Sequence, residues 1–269
     1  MENRMNQFKI LIFIQVLALW PVWRWYILRL ADSSDEPWGL LALGTAFIFL
    51  YQNKNQKKPK GSYLILPAML MLLYGATFHM LPPLMRAVIA VTSIACTVSI
   101  CRMGKVLHLG VWGLFLMSLP IISSLQFYFG FPLRVIVGKI AAPLVQLSGL
   151  PVVLEGTMLN WCGKLISIDA PCSGVKMLWV GFYLAFTLVS FYKLRPLKTC
   201  YILIFTLLVV ICSNILRATA LFYVEAGIAN FPPWTHTVLG LHIFLFTSLT
   251  IVWISQRFHK ETTCEALFS

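Results

Sequence analysis

A thiol, a guanidinium and an imidazole stand at matching ends of three apolar runs in the second half of the chain: Cys172 just before one, Arg217 inside the next, and His236 opening the last. Together they form the minimum set for cysteine-based acyl transfer at a membrane surface. A helix expected from Val175 puts Cys172 at the positive end of its dipole, where a thiolate is favoured, and Lys176 adds a cation one turn in. Asp169 acts in the opposite sense. The backbone N–H groups of Ser173, Gly174 and Val175 are free to hold an oxyanion developing on an attacked carbonyl. Asn214 precedes Arg217 by three residues, shares its helix face, and can orient the guanidinium or donate to the same oxyanion. His236, after Pro232-Pro233-Trp234, is placed to take the thiol proton and return it to a leaving amine. His242 falls on the opposite helix face and is expected in the core, with His79 as a reserve.

These residues need a scaffold, and composition says which kind. With 59% hydrophobic and 11% charged residues over 269 positions, and a mean hydropathy of +0.82, the chain uses lipid as its solvent. The net charge of +12 sits mostly in short links between apolar runs, where it sets orientation, so no nucleic-acid partner is implied. Runs long enough to span a bilayer cover residues 10–31, 63–81, 82–100, 106–127, 175–192, 199–225 and 237–256, with 37–52 as a shorter eighth. The first is read as a retained helix, because its apolar stretch is long and no small-residue cleavage pattern precedes Asp32.

Basic residues recur at every second link: Lys54, Lys57, Lys58 and Lys60; Arg102 and Lys105; Lys193, Arg195 and Lys198; and Arg257 with Lys260 in the tail. By the positive-inside rule these links and both termini are cytoplasmic, and Cys172, Arg217 and His236 meet at the extracytoplasmic face. The expected fold is an all-α polytopic membrane protein of about eight transmembrane helices forming one membrane-embedded domain over 1–269. Between the fifth and sixth spans, residues 131–147 read as an interfacial helix, and residues 151–168 as a short β-hairpin or extended excursion that shields the site.

In this order and on an eight-helix chain, Cys172-Ser173-Gly174, Asn214-Ile215-Leu216-Arg217, and His236 with Gly240 four later resemble the exosortase and archaeosortase family of membrane cysteine proteases. Pro171 stands where that family usually has Ala before the Cys. The resemblance implies Cys172 as nucleophile, Arg217 as stabiliser and His236 as acid–base group, with Asn214, Ser173 and Gly174 as substrate-binding or oxyanion residues. It implies protein partners carrying a carboxy-terminal signal made of a short motif such as Pro-Glu-Pro, one transmembrane helix and a basic tail, in a membrane-lipid setting. The acyl group would pass to an amine, a lipid-linked acceptor or water.

Other chemistries have weaker footing. No metal is expected, since no H-E-x-x-H occurs and the cysteines form no zinc spacing, and no cofactor motif is present. Ser173 and Lys176 match S-x-x-K without its companion motifs. A transporter, or a lipid or glycan transferase, would use Arg217 and His236 to bind an anionic substrate. Cys162 lies in the same outer excursion as Cys172, so a disulfide between them is the competing fate of the nucleophile.

Overall fold

The computed structural model describes residues 2–31, 38–52, 61–167, 174–228, 231–232 and 234–267. They fall into two compact units, one built from residues 1–121 and 186–196, the other from 122–185 and 197–269.

In the first unit, α1 (Glu2–Ala18) and α2 (Trp20–Ala31) replace the single straight first span, with a 64° bend between Ile10–Ala18 and Trp20–Ala31. Pro21 explains the break, because it has no N–H to donate to the Leu17 carbonyl. Trp23 Nε1 instead donates to the Val16 carbonyl at 2.8 Å. Next come α3 (Trp38–Gln52), α4 (Ile65–Ala76) after a short 3-10 turn, α5 (Pro83–Met103), which opens on a proline whose missing N–H needs no partner there, and α6 (Leu109–Met117). A buried polar chain ties three of these helices together. Gln15 Nε2 of α1 donates to Ser93 Oγ of α5 at 2.7 Å, and Ser93 Oγ donates to the Pro67 carbonyl of α4 at 2.9 Å.

The second unit carries the chemistry-bearing residues. It holds α7 (Ile122–Gln146), strands β1 (Val152–Glu155), β2 (Met158–Trp161) and β3 (Lys164–Ser167), the first part of α8 (Val175–Tyr192), then α9 (Pro196–Ala226) and α10 (Thr235–Leu267). The strands form an antiparallel meander in the order β1-β2-β3, one strand more than a hairpin. Its second turn, Cys162-Gly163, has φ of 52° and 86°, the paired positive angles of a two-residue type I′ turn. Alternation puts Val152, Leu159 and Ile166 on the inner face, where they bury against Val137, Ala141 and Val145 of α7 and Ala218, Leu221 and Phe222 of α9.

Two expectations about the middle of the chain need correction. The apolar run 106–127 is not one helix: α6 stops at Met117 because Pro120 disfavours helical geometry in the residue before it and cannot itself continue the ladder. Residues 131–147 do not form a separate surface helix either, since all but Leu147 belong to α7, whose 25 residues run through Pro132 and Pro143. By length and apolarity α7 is one of five described helices able to cross a bilayer, with α5, α8, α9 and α10; the bent α1–α2 pair, counted as one span, makes a sixth. The 15-residue α3 and 12-residue α4 are shorter apolar helices, so eight full spans are not reached among the described residues.

Candidate active site

The residue that opens α8, Gly174, is buried and has φ of +81°, a left-handed conformation that a side chain would oppose. Its carbonyl accepts the first helical N–H, from Leu178, at 2.8 Å. Its bare Cα faces Asn214 of α9 so closely that a Cβ there would lie 3.0 Å from both Cγ and Nδ2 of the asparagine. Asn214 is 2% exposed, and one turn further along the same face is Arg217, half-buried.

Arg217 in turn lies across α10 at Gly240: a Cβ on that glycine would stand 3.7 Å from Nε and Nη2 and 3.9 Å from Cζ. His236, partly buried, is one turn before Gly240 and shares its helix face. A second tie fixes how α9 and α10 meet, because Thr247 Oγ1 donates to Ser213 Oγ at 2.7 Å with both residues buried. Gly174, Asn214, Arg217 and Gly240 thus form a chain of contacts from the start of α8, across α9, to the turn of α10 that follows His236. Leu133, Val137, Leu178, Val210 and Ile211 line a small apolar cleft together with Gly174 and Asn214.

The meander is latched to the end of α9. Lys164 Nζ donates to the carbonyls of Glu225 and Ala226, each at 2.9 Å, which caps the negative end of that helix with a cation. Trp161 packs edge-on to Phe222 with ring centroids 6.3 Å apart, and Tyr223 Oη donates to Ser148 Oγ at 2.8 Å. Gln146 Nε2 donates to the Val152 carbonyl at 2.6 Å, holding β1 to the end of α7.

Of the residues expected to act, Asn214, Arg217 and Gly174 are brought together, with His236 on the adjoining face of α10. Cys172, Ser173 and Asp169 lie outside the described residues, and so does any bond between Cys162 and Cys172. Cys162 itself is exposed at the tip of the I′ turn. Lys176 is exposed in the first turn of α8. His242 is not in the core: it is exposed, and its Nδ1 sits 2.8 Å from the Val238 carbonyl of its own helix. His79 is exposed in the first unit, with its ring edge-on to Phe78. Among the described residues, no group of three or more His, Cys, Asp or Glu could hold a metal. Three features escaped the sequence: the Gly240 seat for the guanidinium, the Lys164 cap, and the apolar cleft. Only Gly240 left a trace there, as the glycine one turn after His236.

A mostly helical chain with several bilayer-length apolar helices, and polar groups gathered where three of them meet, defines a multi-pass membrane protein with a built polar site. Residues 2–253 match the family described as transmembrane exosortase, and the chain belongs to that family. Membership puts it among membrane-embedded proteins that act on substrates bearing sorting signals. No curated protein and no solved structure gave a match.

Proposed function

We propose that this chain is a membrane cysteine peptidase and transpeptidase that cuts the carboxy-terminal sorting signals of membrane-anchored secreted proteins at the extracytoplasmic face. Cys172 is the nucleophile, His236 the acid–base group and Arg217 the electrostatic stabiliser. The contact chain from Gly174 through Asn214 and Arg217 to Gly240 is the observation that carries this reading. Cys172 stands two residues before Gly174 in the sequence, and this reading joins its thiol to that contact chain.

The chemistry then proceeds in two balanced halves. His236 takes the proton of the Cys172 thiol, and the sulfur adds to the scissile carbonyl. Arg217, Asn214 and the backbone N–H groups at the start of α8 receive the oxyanion. Collapse breaks the C–N bond, the leaving amine takes the proton from His236, and a thioester remains on Cys172. An incoming amine or water, deprotonated by His236, then attacks the thioester, the acyl group leaves with it, and the thiol recovers its proton. The substrate is a protein with a short motif, one transmembrane helix and a basic tail, and the helix docks laterally in the lipid while the cut falls just outside it.

The test is co-expression with a tagged membrane-anchored reporter that the wild-type chain processes. Cys172→Ala and Cys172→Ser should both stop processing while the protein remains folded and inserted, and Cys162→Ala should leave it intact. Processing by Cys172→Ala would end the cysteine-peptidase reading, and equal damage from Cys162→Ala would turn attention to a structural disulfide.

A further inference from the structure

We propose that the substrate segment just upstream of the scissile bond binds as a fourth strand on the free edge of β3; this rests on the peptidase reading above. Among the described residues, β3 pairs with β2 on one side only. Trp161 and Lys164 close a two-residue hairpin, and Leu165 and Ser167 stand opposite Asn160 and Met158. In that register Lys164 and Ile166 exchange their backbone hydrogen bonds with β2, so the N–H and C=O groups of Leu165 and Ser167 point away from the sheet. Among the described residues, nothing outside the sheet bonds to them.

The opposite edge is different. On β1, the Val152 N–H donates to the Leu150 carbonyl at 3.0 Å and its C=O accepts from Gln146, so the Val152 end of that edge is closed by its own chain.

The course of β3 gives the open edge a direction. Lys164 is anchored at Glu225 and Ala226, Ile166 and Ser167 line a cleft with Ala218, Leu221 and Glu225, and seven residues after Ser167 the chain reaches Gly174 against Asn214. Asn214, Ala218, Leu221 and Glu225 succeed one another on one stripe of α9. The edge therefore runs back along α9 from its end toward Asn214 and Arg217. An extended peptide laid there forms main-chain hydrogen bonds with Leu165 and Ser167, which need no particular side chains. Backbone pairing suits an enzyme that must hold a flexible stretch between a folded domain and a membrane anchor.

The experiment removes one backbone donor. Leu165→Pro deletes an N–H that faces away from β2 and so spares the ladder, whereas Leu165→Ala trims the side chain and keeps the donor. With the processed reporter, Leu165→Pro should lower kcat/KM by about 10-fold or more, chiefly through KM, with labelling of Cys172 by a small thiol reagent unchanged; Leu165→Ala should stay within about 3-fold. Equal rates for Leu165→Pro and wild type, or equal losses in both variants, would overturn strand addition. A crosslink keeps the idea testable if Leu165→Pro misfolds. In a Cys162→Ser, Cys172→Ala background, Leu165→Cys should form a disulfide with a reporter cysteine a few residues upstream of the cut, and Val153→Cys on β1 should not; the reverse pattern would refute the proposal. Processing that persists in Cys172→Ala would instead defeat the peptidase reading and leave the crosslink to report on binding alone.

Discussion

Replacing Gly174 by alanine applies two perturbations that can be separated. The backbone at φ +81° costs a non-glycine residue about 1–2 kcal/mol. The new Cβ would also sit 3.0 Å from Cγ and Nδ2 of Asn214, closer than ordinary contact, so the asparagine or the start of α8 must yield by a few tenths of an ångström. Gly149 supplies the control, because it has φ +86° and no atom lies within 4 Å of the position a Cβ would take there. Gly149→Ala should therefore lower stability by about 1 kcal/mol and leave kcat/KM near wild type. Gly174→Ala should suffer a similar loss of stability and, in addition, a fall in kcat/KM of about 10- to 100-fold, since small misplacements of catalytic groups cost up to that much. Reporter processing by purified protein in detergent or nanodiscs gives the rates, and thermal unfolding of the same samples gives the stability term. If Gly174→Ala processes the reporter as fast as Gly149→Ala, contact between the start of α8 and Asn214 is not what sets the site.

Gly240 makes a graded test of the guanidinium seat. Gly240→Ala brings a methyl to ordinary contact at 3.7 Å and should keep activity within about 3-fold, whereas Gly240→Leu projects into the space of Arg217 and should lower kcat/KM by about 100-fold. Both variants should be checked for insertion, and an active Gly240→Leu would separate Arg217 from the chemistry. Lys164→Met keeps the apolar stem and removes the cation from the end of α9. It should cost about 1 kcal/mol of stability and raise hydrogen exchange in the last turn of that helix, while unchanged exchange there would show that the cap is not what holds the meander.

Much of the site was legible because helices advertise themselves locally. Val175 to Tyr192 emerged with the same bounds in sequence and structure, since the run is apolar from Met177 onward and ends at the basic link. The extended character of residues 151–168 was foreshadowed by their alternation, while the second turn, at Cys162-Gly163, and the third strand were not. The misreadings came where apolarity outvoted backbone geometry: the run from Val106 to Phe127 looks continuous to a hydropathy scan, but Pro120 cuts it, and α7 absorbs charged residues and prolines that suggested a surface helix. His242 was misjudged for a related reason, as a helix with lipid around it has no single core face for a polar residue to seek.

By itself, the amino-acid order determined the membrane class, most of the apolar helices, and a candidate set of thiol, guanidinium and imidazole at their ends. Those properties follow from local composition and from the spacing of residues along a helix, both of which are written in neighbouring positions. Only the tertiary structure decided that Gly174 touches Asn214, that Arg217 rests on Gly240, and that Lys164 closes the end of α9. Contacts of that kind join residues about 25 to 60 positions apart through close packing of small residues and capping of orphan carbonyls, and in lipid every apolar face offers nearly the same environment, so no periodicity records which faces meet.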